Sequence, residues 1–362
     1  MSVKLNISTA AEQLTEGLFG MIFLHVFEIL PYLDKQGISP AWSIRSTKYG
    51  LPPDFIVIPG LLDLNYNASD KESKIKEINL KALRDDHVVT IGNDWNYSSK
   101  LWCKYFRWPE RVIERADQFP SLKTALGIHY RGTDKNTDLC QTNPVSQEDF
   151  LRLVRDFVVT HPDIDTLFVA TDEDSLLAKV VAEHKTLKVF GSGKAVFWKD
   201  NTLEDVMPQN RFAKGDHALL DCLLLSRCKY LIKCQSALSG FAKILNPQLE
   251  AYRVAASKAF FEGIPYFPDA YIPILTSQDL ECQRILAKLQ AGDWTQDLVA
   301  MKKYGGNFRF KKRKGYIRKE RRVPRWSLDG LHMRFDRRFD RMAGRIKAHI
   351  NRYFGYMRRS PR

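Results

Sequence analysis

Residues 127–134 read Gly-Ile-His-Tyr-Arg-Gly-Thr-Asp and are followed by Lys135, so an imidazole, a guanidinium, a carboxylate and an ammonium fall within one short stretch. An arginine held in place offers a permanent positive charge and a planar fork of donors that matches phosphate oxygens. Leu122, Ala125 and Leu126 just before it give the pattern of a buried strand running abruptly into polar groups. Ligands of open α/β sheets gather beyond the carboxyl ends of such strands, which would set His129, Arg131, Asp134 and Lys135 at the mouth of a cleft. The competing reading is a strand end decorated with solvated charges.

A second strand-and-turn unit follows at βαβ spacing. Phe150 to Val159 has the period of an amphipathic helix, and Thr166 to Ala170 is a short apolar strand ending in Thr171-Asp172-Glu173-Asp174-Ser175. Asp172 and its neighbours there serve equally well as a cap for the helical pattern of Leu176 to His184 or as acceptors for sugar hydroxyls. Leu187 to Phe190 adds a strand and Gly191-Ser192-Gly193 a turn. Asp216 to Asp221 is read as opening an apolar helix that runs through Leu225, before a strand Tyr230-Leu231-Ile232. Ser236 and its small neighbours then enter a helix over Phe241 to Leu245, a candidate anion seat because a helix N-terminus presents unpaired N–H groups and partial positive charge. Near the N-terminus, Gly17 and Gly20 precede an apolar stretch from Met21 to Leu33; glycines there would let the backbone approach a ligand, or would simply make a tight turn. Pro40 to Ile44 and Phe55 to Ile58 read as strands, and 65–77 as a polar loop.

Three of these segments carry a resemblance. His-Tyr-Arg-Gly-Thr-Asp-Lys at 129–135, Phe-Val-Ala-Thr-Asp-Glu at 168–173, and Leu-Leu-Asp-Cys-Leu-Leu-Leu-Ser-Arg-Cys at 219–228 followed by Tyr-Leu-Ile and Ser236 are similar to the three peptide motifs of the α1,6-fucosyltransferase superfamily. That group spans bacterial nodulation and animal core fucosyltransferases and, more distantly, protein O-fucosyltransferases. The resemblance is concentrated in 126–245. It implies that Arg131 meets the β-phosphate of GDP-fucose and neutralises charge as the bond to GDP breaks, that His129 and Asp221 contact the guanosine, and that Ser236 lies near the diphosphate. It also implies that the loop containing Gly20 faces the donor, and that no metal or other cofactor takes part. Asp172-Glu173-Asp174 formally fits the Asp-x-Asp element that holds a divalent ion beside a diphosphate, the metal-dependent alternative.

Two departures from the pattern matter. Many relatives carry a second arginine directly after the first, where this chain has Gly132; Lys135 or Lys214 would then assist Arg131. The expected acidic residue further on is also displaced: Leu139 stands there, with Asp138 before it. Asp138 is the first candidate for a general base, Asp134 the second, and proton loss assisted by the substrate is a third route.

The chain has 362 residues, 44% hydrophobic and 12% aromatic, enough for two cores. Its histidines lack metal-ligand spacing, and its six cysteines form no Cys-x-x-Cys pair, so reduced thiols are expected. Met1 to Thr15 lacks the features of a signal peptide, and the apolar run Leu18 to Leu30 is broken by His25 and Glu28 and too short to span a bilayer. The net charge of +14 is uneven: 301–362 holds 22 Lys and Arg against 4 Asp and Glu, while the 300 residues before it carry a net charge of −4. Within that tail Leu331, Phe335, Phe339, Met342, Ile346 and Ile350 recur at steps of three and four among arginines, the pattern of a basic amphipathic helix. Such a helix can rest on an anionic membrane, pack on protein, or serve a nucleic-acid binder; the near-neutral body with its cleft motifs argues against the last.

The expectation is therefore an α/β protein of the GT-B type, two Rossmann-like domains facing across a cleft plus a basic C-terminal helical tail. Residues 1–122 would form the acceptor-side domain, 123–300 the donor-binding domain, and 301–362 the tail. The expected activity is inverting, metal-independent transfer of fucose from GDP-fucose to a glycan or lipid-linked acceptor, in the cytoplasm, with the tail resting on the inner membrane face. The alternatives are a related transferase using another nucleotide sugar, and a non-catalytic glycan- or nucleotide-binding relative.

Overall fold

The computed structural model of the chain describes residues 4–14, 17–65, 75–89, 94–132, 145–193, 208–254 and 269–275. The basic tail, with its expected helix, lies outside these residues. Two sheets organise the described part. The first has the order β3-β2-β1-β5, from β1 (Lys4–Ser8), β2 (Pro40–Arg45), β3 (Ile56–Ile58) and β5 (Ile75–Asn79). β1 pairs in parallel with β2 and β5, while β3 runs antiparallel on β2. A two-stranded ribbon joins β4 (Asp63–Leu64) to β6 (Phe106–Arg107). The strand β5 departs from the expected loop over 65–77: Ile75-Lys76-Glu77-Ile78-Asn79 has too few apolar residues to announce itself, and pairing with β1 along its whole length decides its conformation.

The second sheet is wholly parallel, with the order β12-β11-β10-β7-β8-β9. Its strands are β7 (Ala125–Tyr130), β8 (Thr166–Thr171), β9 (Lys188–Gly191), β10 (Tyr230–Lys233), β11 (Glu250–Val254) and β12 (Ile274–Leu275). Starting from β7, the chain steps outward through β8 and β9, then returns to β7's other side and steps outward through β10, β11 and β12. This is the doubly wound order, and its direction reverses between β7 and β10.

Eight α-helices are described: α1 (Leu24–Lys35), α2 (Leu80–His87), α3 (Trp95–Tyr105), α4 (Glu110–Asp117), α5 (Gln147–Thr160), α6 (Asp174–Glu183), α7 (Pro208–Arg227) and α8 (Ala237–Leu245). α5 begins at Gln147, before the expected Phe150, because Ser146 caps it, accepting the Asp149 N–H at 3.0 Å, and Glu148 and Asp149 place negative charge in its first turn. Its face of Phe150, Leu151, Leu153, Val154 and Phe157 is buried. Two expectations are corrected. α7 begins at Pro208, so Asp216 lies inside it rather than at its start; a proline suits the first helical position, and the helix-weakening Gly215 is accommodated because a Cβ there would stand 2.5 Å from Leu61 Cδ2. Gly20 falls within a π-helical stretch, Leu18–Phe23, that leads into α1, whereas Gly17 stands before it. No described helix is long and apolar enough to cross a membrane.

Alternation along the second sheet sorts its side chains into two cores. Leu126, Ile128, Tyr130, Leu167, Val169 and Ile232 pack with α5 and α6. Ala125, Phe168, Ala170 and Leu231 face a larger core that continues through α7 and α8 to Leu5, Ile7, Trp42 and Ile44 of the first sheet. Phe241 of α8 is the hinge of that continuity: its ring lies 5.5 Å from Phe19, 6.2 Å from Phe23, 5.9 Å from Phe27 and 5.3 Å from Trp102, centroid to centroid. Such edge-to-face clusters add to area burial. Phe241→Ala should therefore cost about 3–5 kcal/mol of unfolding free energy in a denaturant titration, the usual range for deleting a buried aromatic ring. A loss below about 1 kcal/mol would mean that the aromatic cluster collapses around the gap and does not join the two sheets.

Candidate active site at the switch of the second sheet

At the carboxyl ends of β7 and β10 the chain places Arg131 on one side and Cys234-Gln235-Ser236 on the other. β7 extends through Tyr130, so Arg131 is its first residue past the strand, and it is exposed. His129, expected at the cleft mouth, is the last but one residue of the strand and only 6% exposed. Its Nδ1 lies 2.9 Å from the Ser239 hydroxyl in the first turn of α8. Burial, with the charges of Lys233 and Arg131 nearby, lowers its pKa to about 3. Its role at neutral pH is thus that of a neutral hydrogen-bonding ring.

Lys233 stands beside His129 in the parallel register of β10 on β7 and is fully buried. Its Nζ donates to Asp269 Oδ1 at 2.6 Å, and Asp269, also fully buried, takes the Ser236 N–H on Oδ2 at 2.8 Å. Burial depresses the Lys233 pKa, and Asp269 opposes that. Asp269 carried no signal in the sequence: it is an isolated acidic residue far along the chain, and only the fold brings it beneath α8. Ser236 is the N-cap residue of α8, yet its side chain makes no capping bond. The anion seat expected at this helix is thus partly taken by an internal carboxylate at the Ser236 N–H, while the N–H groups of the first turn lie beyond it. Gly20 reaches the same turn: a Cβ on it would lie 3.9 Å from Ala237 Cβ.

On the other side of β7, Gly132 explains itself. Its N–H donates to Asp172 Oδ1 at 3.0 Å, and a Cβ would fall 1.9 Å from Glu173 Oε1 and 2.8 Å from Tyr130 Cε1. Glu173 is held in turn by the Gln147 side-chain amide. The position where the resembled motif has a second arginine is here a closely packed backbone crossing between β7 and β8. Asp172 has a contact that the sequence did not suggest, the backbone N–H of Gly132 beside Arg131.

Asp221 has its own set of partners. It lies on α7, where its Oδ1 accepts from Ser192, just beyond β9, and its Oδ2 is 3.8 Å from His217 Nε2. His217 Nε2 is itself 3.1 Å from the Ser192 hydroxyl. Burial raises the Asp221 pKa, while His217, Ser192 and Arg115 pull it back. One turn earlier on α7, Asp216 holds Arg111 at 2.8 Å and Arg115 at 2.5 Å, tying α7 to α4. Lys214 is buried on the same helix. Asp134, Lys135 and Asp138 lie outside the described residues.

No protein-family model matches the chain, and no curated protein matches it. Among solved structures, fucosyltransferase NodZ from Bradyrhizobium is similar, with 15% identity over 68% of this chain and 95% of that one at a TM-score of 0.44. NodZ α-1,6-fucosyltransferase soaked with GDP-fucose matches at 13% identity, 69% and 95% coverage and a TM-score of 0.43. POFUT1 in complex with GDP matches at 9% identity, 70% and 98% coverage and a TM-score of 0.38. Similarity at this level carries no functional argument, which rests instead on the residues above.

The His129 environment has a direct consequence. A histidine whose folded pKa is depressed stays neutral in the fold while the unfolded chain takes up a proton below about 6.5. Stability from this group should therefore be present above that pH and fall as pH drops from about 6.5 towards 3. The ring resonances of His129, followed by NMR, should show no protonation above pH 5; a midpoint near 6 would contradict the burial and charge argument.

Proposed function

We propose that the protein is a glycosyltransferase that binds a nucleoside diphosphate sugar at the switch between β7 and β10 and most specifically uses GDP-fucose. The carrying observation is topological: the strand order reverses at the point where Arg131 leaves β7 and α8 begins after β10. Crevices at such reversals are where doubly wound sheets take up nucleotides, and a helix N-terminus and a guanidinium at the ends of neighbouring strands suit a diphosphate. The three-motif resemblance supports guanine and fucose as the particular nucleotide and sugar. The first-sheet region would supply the acceptor side of a GT-B cleft.

In this reading Arg131 stabilises the negative charge that grows on GDP as the glycosidic bond breaks, acting through charge already in place and needing no reorganisation. The α8 N–H groups would share that load, with Ser236 fixed beneath by Asp269. An acceptor hydroxyl placed on the opposite face of the sugar would give inversion, deprotonated late by a base for which Asp138 and Asp134 remain the candidates. Metal independence fits the carboxylate of Asp172, which is turned to the Gly132 N–H, and that of Glu173, which is engaged by Gln147.

Arg131→Ala should lower turnover with GDP-fucose by about a hundredfold or more, the scale of losing one preorganised charge-stabilising group, with the circular dichroism spectrum unchanged. Activity should survive EDTA. A folded Arg131→Ala protein with near-normal turnover would overturn the role of Arg131. Loss of activity on chelation, restored by one particular divalent ion, would overturn metal independence.

A further inference from the structure

The first-sheet half holds a pocket of about 420 Å³ between the β4–β6 ribbon, the C-terminal end of α3 and the start of α4. Trp108, half-buried, supplies its accessible aromatic surface, while Trp102 and Phe106 of the lining are almost fully buried, and Asp63, Asn65, Arg107 and Glu110 supply polar groups around it. We propose that this pocket seats a neutral pyranose unit of the acceptor glycan. The acceptor role rests on the transferase reading above; the sugar-binding role does not.

The chemistry of the lining selects the ligand class. A pyranose has one C–H-rich face and a rim of hydroxyls, so it is matched by an indole surface with hydrogen-bonding groups at the edges. Asp63 and Glu110 accept from hydroxyls, Arg107 donates to them, and Asn65 can do both. Two carboxylates against one guanidinium disfavour a diphosphate here, and Arg107 is directly opposite Asp63 in the ribbon's register. The volume lies in the range of small-molecule sites, about 300–1,000 Å³. The wall is also fixed in place: Trp102 and Phe106 are 4.6 Å apart, Phe106 and Trp42 5.4 Å, and Asn65 donates its side-chain amide to Cys103 O at 2.6 Å and its backbone N–H to Tyr105 O at 3.1 Å.

Placement ties the pocket to the switch point. The Ser99 hydroxyl donates to Leu245 O at 3.4 Å, near the C-terminal end of α8, while Trp102 packs on Phe241, one turn earlier in α8. α3 and α8 therefore run antiparallel. Continuing upward by one turn, about 5.4 Å, brings the C-terminal end of α3 level with the first turn of α8. The pocket end of α3 thus lies level with the helix turn that follows Ser236, and Trp102 belongs both to the pocket wall and to the core around Phe241.

The test is saturation-transfer NMR on the full-length protein with the methyl glycosides of glucose, galactose, mannose and N-acetylglucosamine, alongside calorimetry with GDP. At least one glycoside should receive saturation. Trp108→Ala should weaken its binding at least about tenfold, as expected for a central aromatic anchor, while GDP affinity stays within about twofold. Trp108→Phe should retain most binding, and Glu110→Gln should change the ranking of the glycosides; these two variants decide the matter if Trp108→Ala does not fold. Absence of saturation for all four glycosides with GDP binding intact overturns the pocket and leaves the nucleotide reading standing. Saturation indifferent to all three substitutions also overturns it. Glycoside binding that depends on Trp108 in a protein that does not bind GDP supports the pocket and removes its acceptor role.

Discussion

A buried ion pair sets the floor on which the candidate site stands. Lys233 and Asp269 meet at 2.6 Å with no solvent exposure on either side chain. Removing one partner of such a pair leaves a charge stranded in the interior, typically about 3–5 kcal/mol of destabilisation, so the two residues are held together by the cost of separating them. Through the second carboxylate oxygen the pair also fixes the Ser236 N–H, and with it the orientation of α8 at its first turn. Burial keeps His129 neutral, and the charge on Lys233 adds to that effect, which suits a ring whose partner is the Ser239 hydroxyl. The end of β10, the start of α8 and His129 of β7 thus meet around one desolvated contact.

The same arrangement limits what an incoming anion can use. Because Asp269 occupies the N–H of Ser236, a diphosphate would rely on the N–H groups further into the first turn and on Arg131 opposite them. Gly132 supports that division of labour. Its backbone is pinned to Asp172 and crowded by Glu173, and a second arginine at this position would displace Glu173 from its place. The chain carries one exposed guanidinium beside a closely packed glycine, where a pair would require a different packing between β7 and β8.

Four strands of the second sheet were legible in the sequence, with β7, β8 and β10 buried on both faces, whereas β11 and β12 were not expected. Ala125 to Leu126, Thr166 to Ala170, Leu187 to Phe190 and Tyr230 to Ile232 are short apolar runs bounded by turns, and each became a strand within a residue or two of its expected limits, apart from β7, which runs on through His129 and Tyr130. The strand order required the structure, since parallel pairing leaves no local trace. β1 and β5 were not expected, because Lys4–Ser8 and Ile75–Asn79 mix polar and apolar residues and depend on each other for pairing. In the site, Arg131 and Ser236 were recognisable from residue type and position at strand ends. Asp269 was not, since an acidic residue reveals nothing about a lysine 36 positions earlier until the chain is folded. Asp221 was recognisable as a residue of interest from its motif, but its partners Ser192 and His217 come from β9's edge and from α7 itself, a grouping that spacing alone could not supply.

Backbone hydrogen exchange measured with and without GDP tests most directly whether a nucleoside diphosphate binds where the strand order reverses. Protection should rise at 131–132 and 236–239, the arginine turn and the first turn of α8, with far smaller changes along α5 and α6 on the opposite side of the sheet. Unchanged exchange at both segments under saturating GDP, or protection confined to other parts of the chain, would contradict the account.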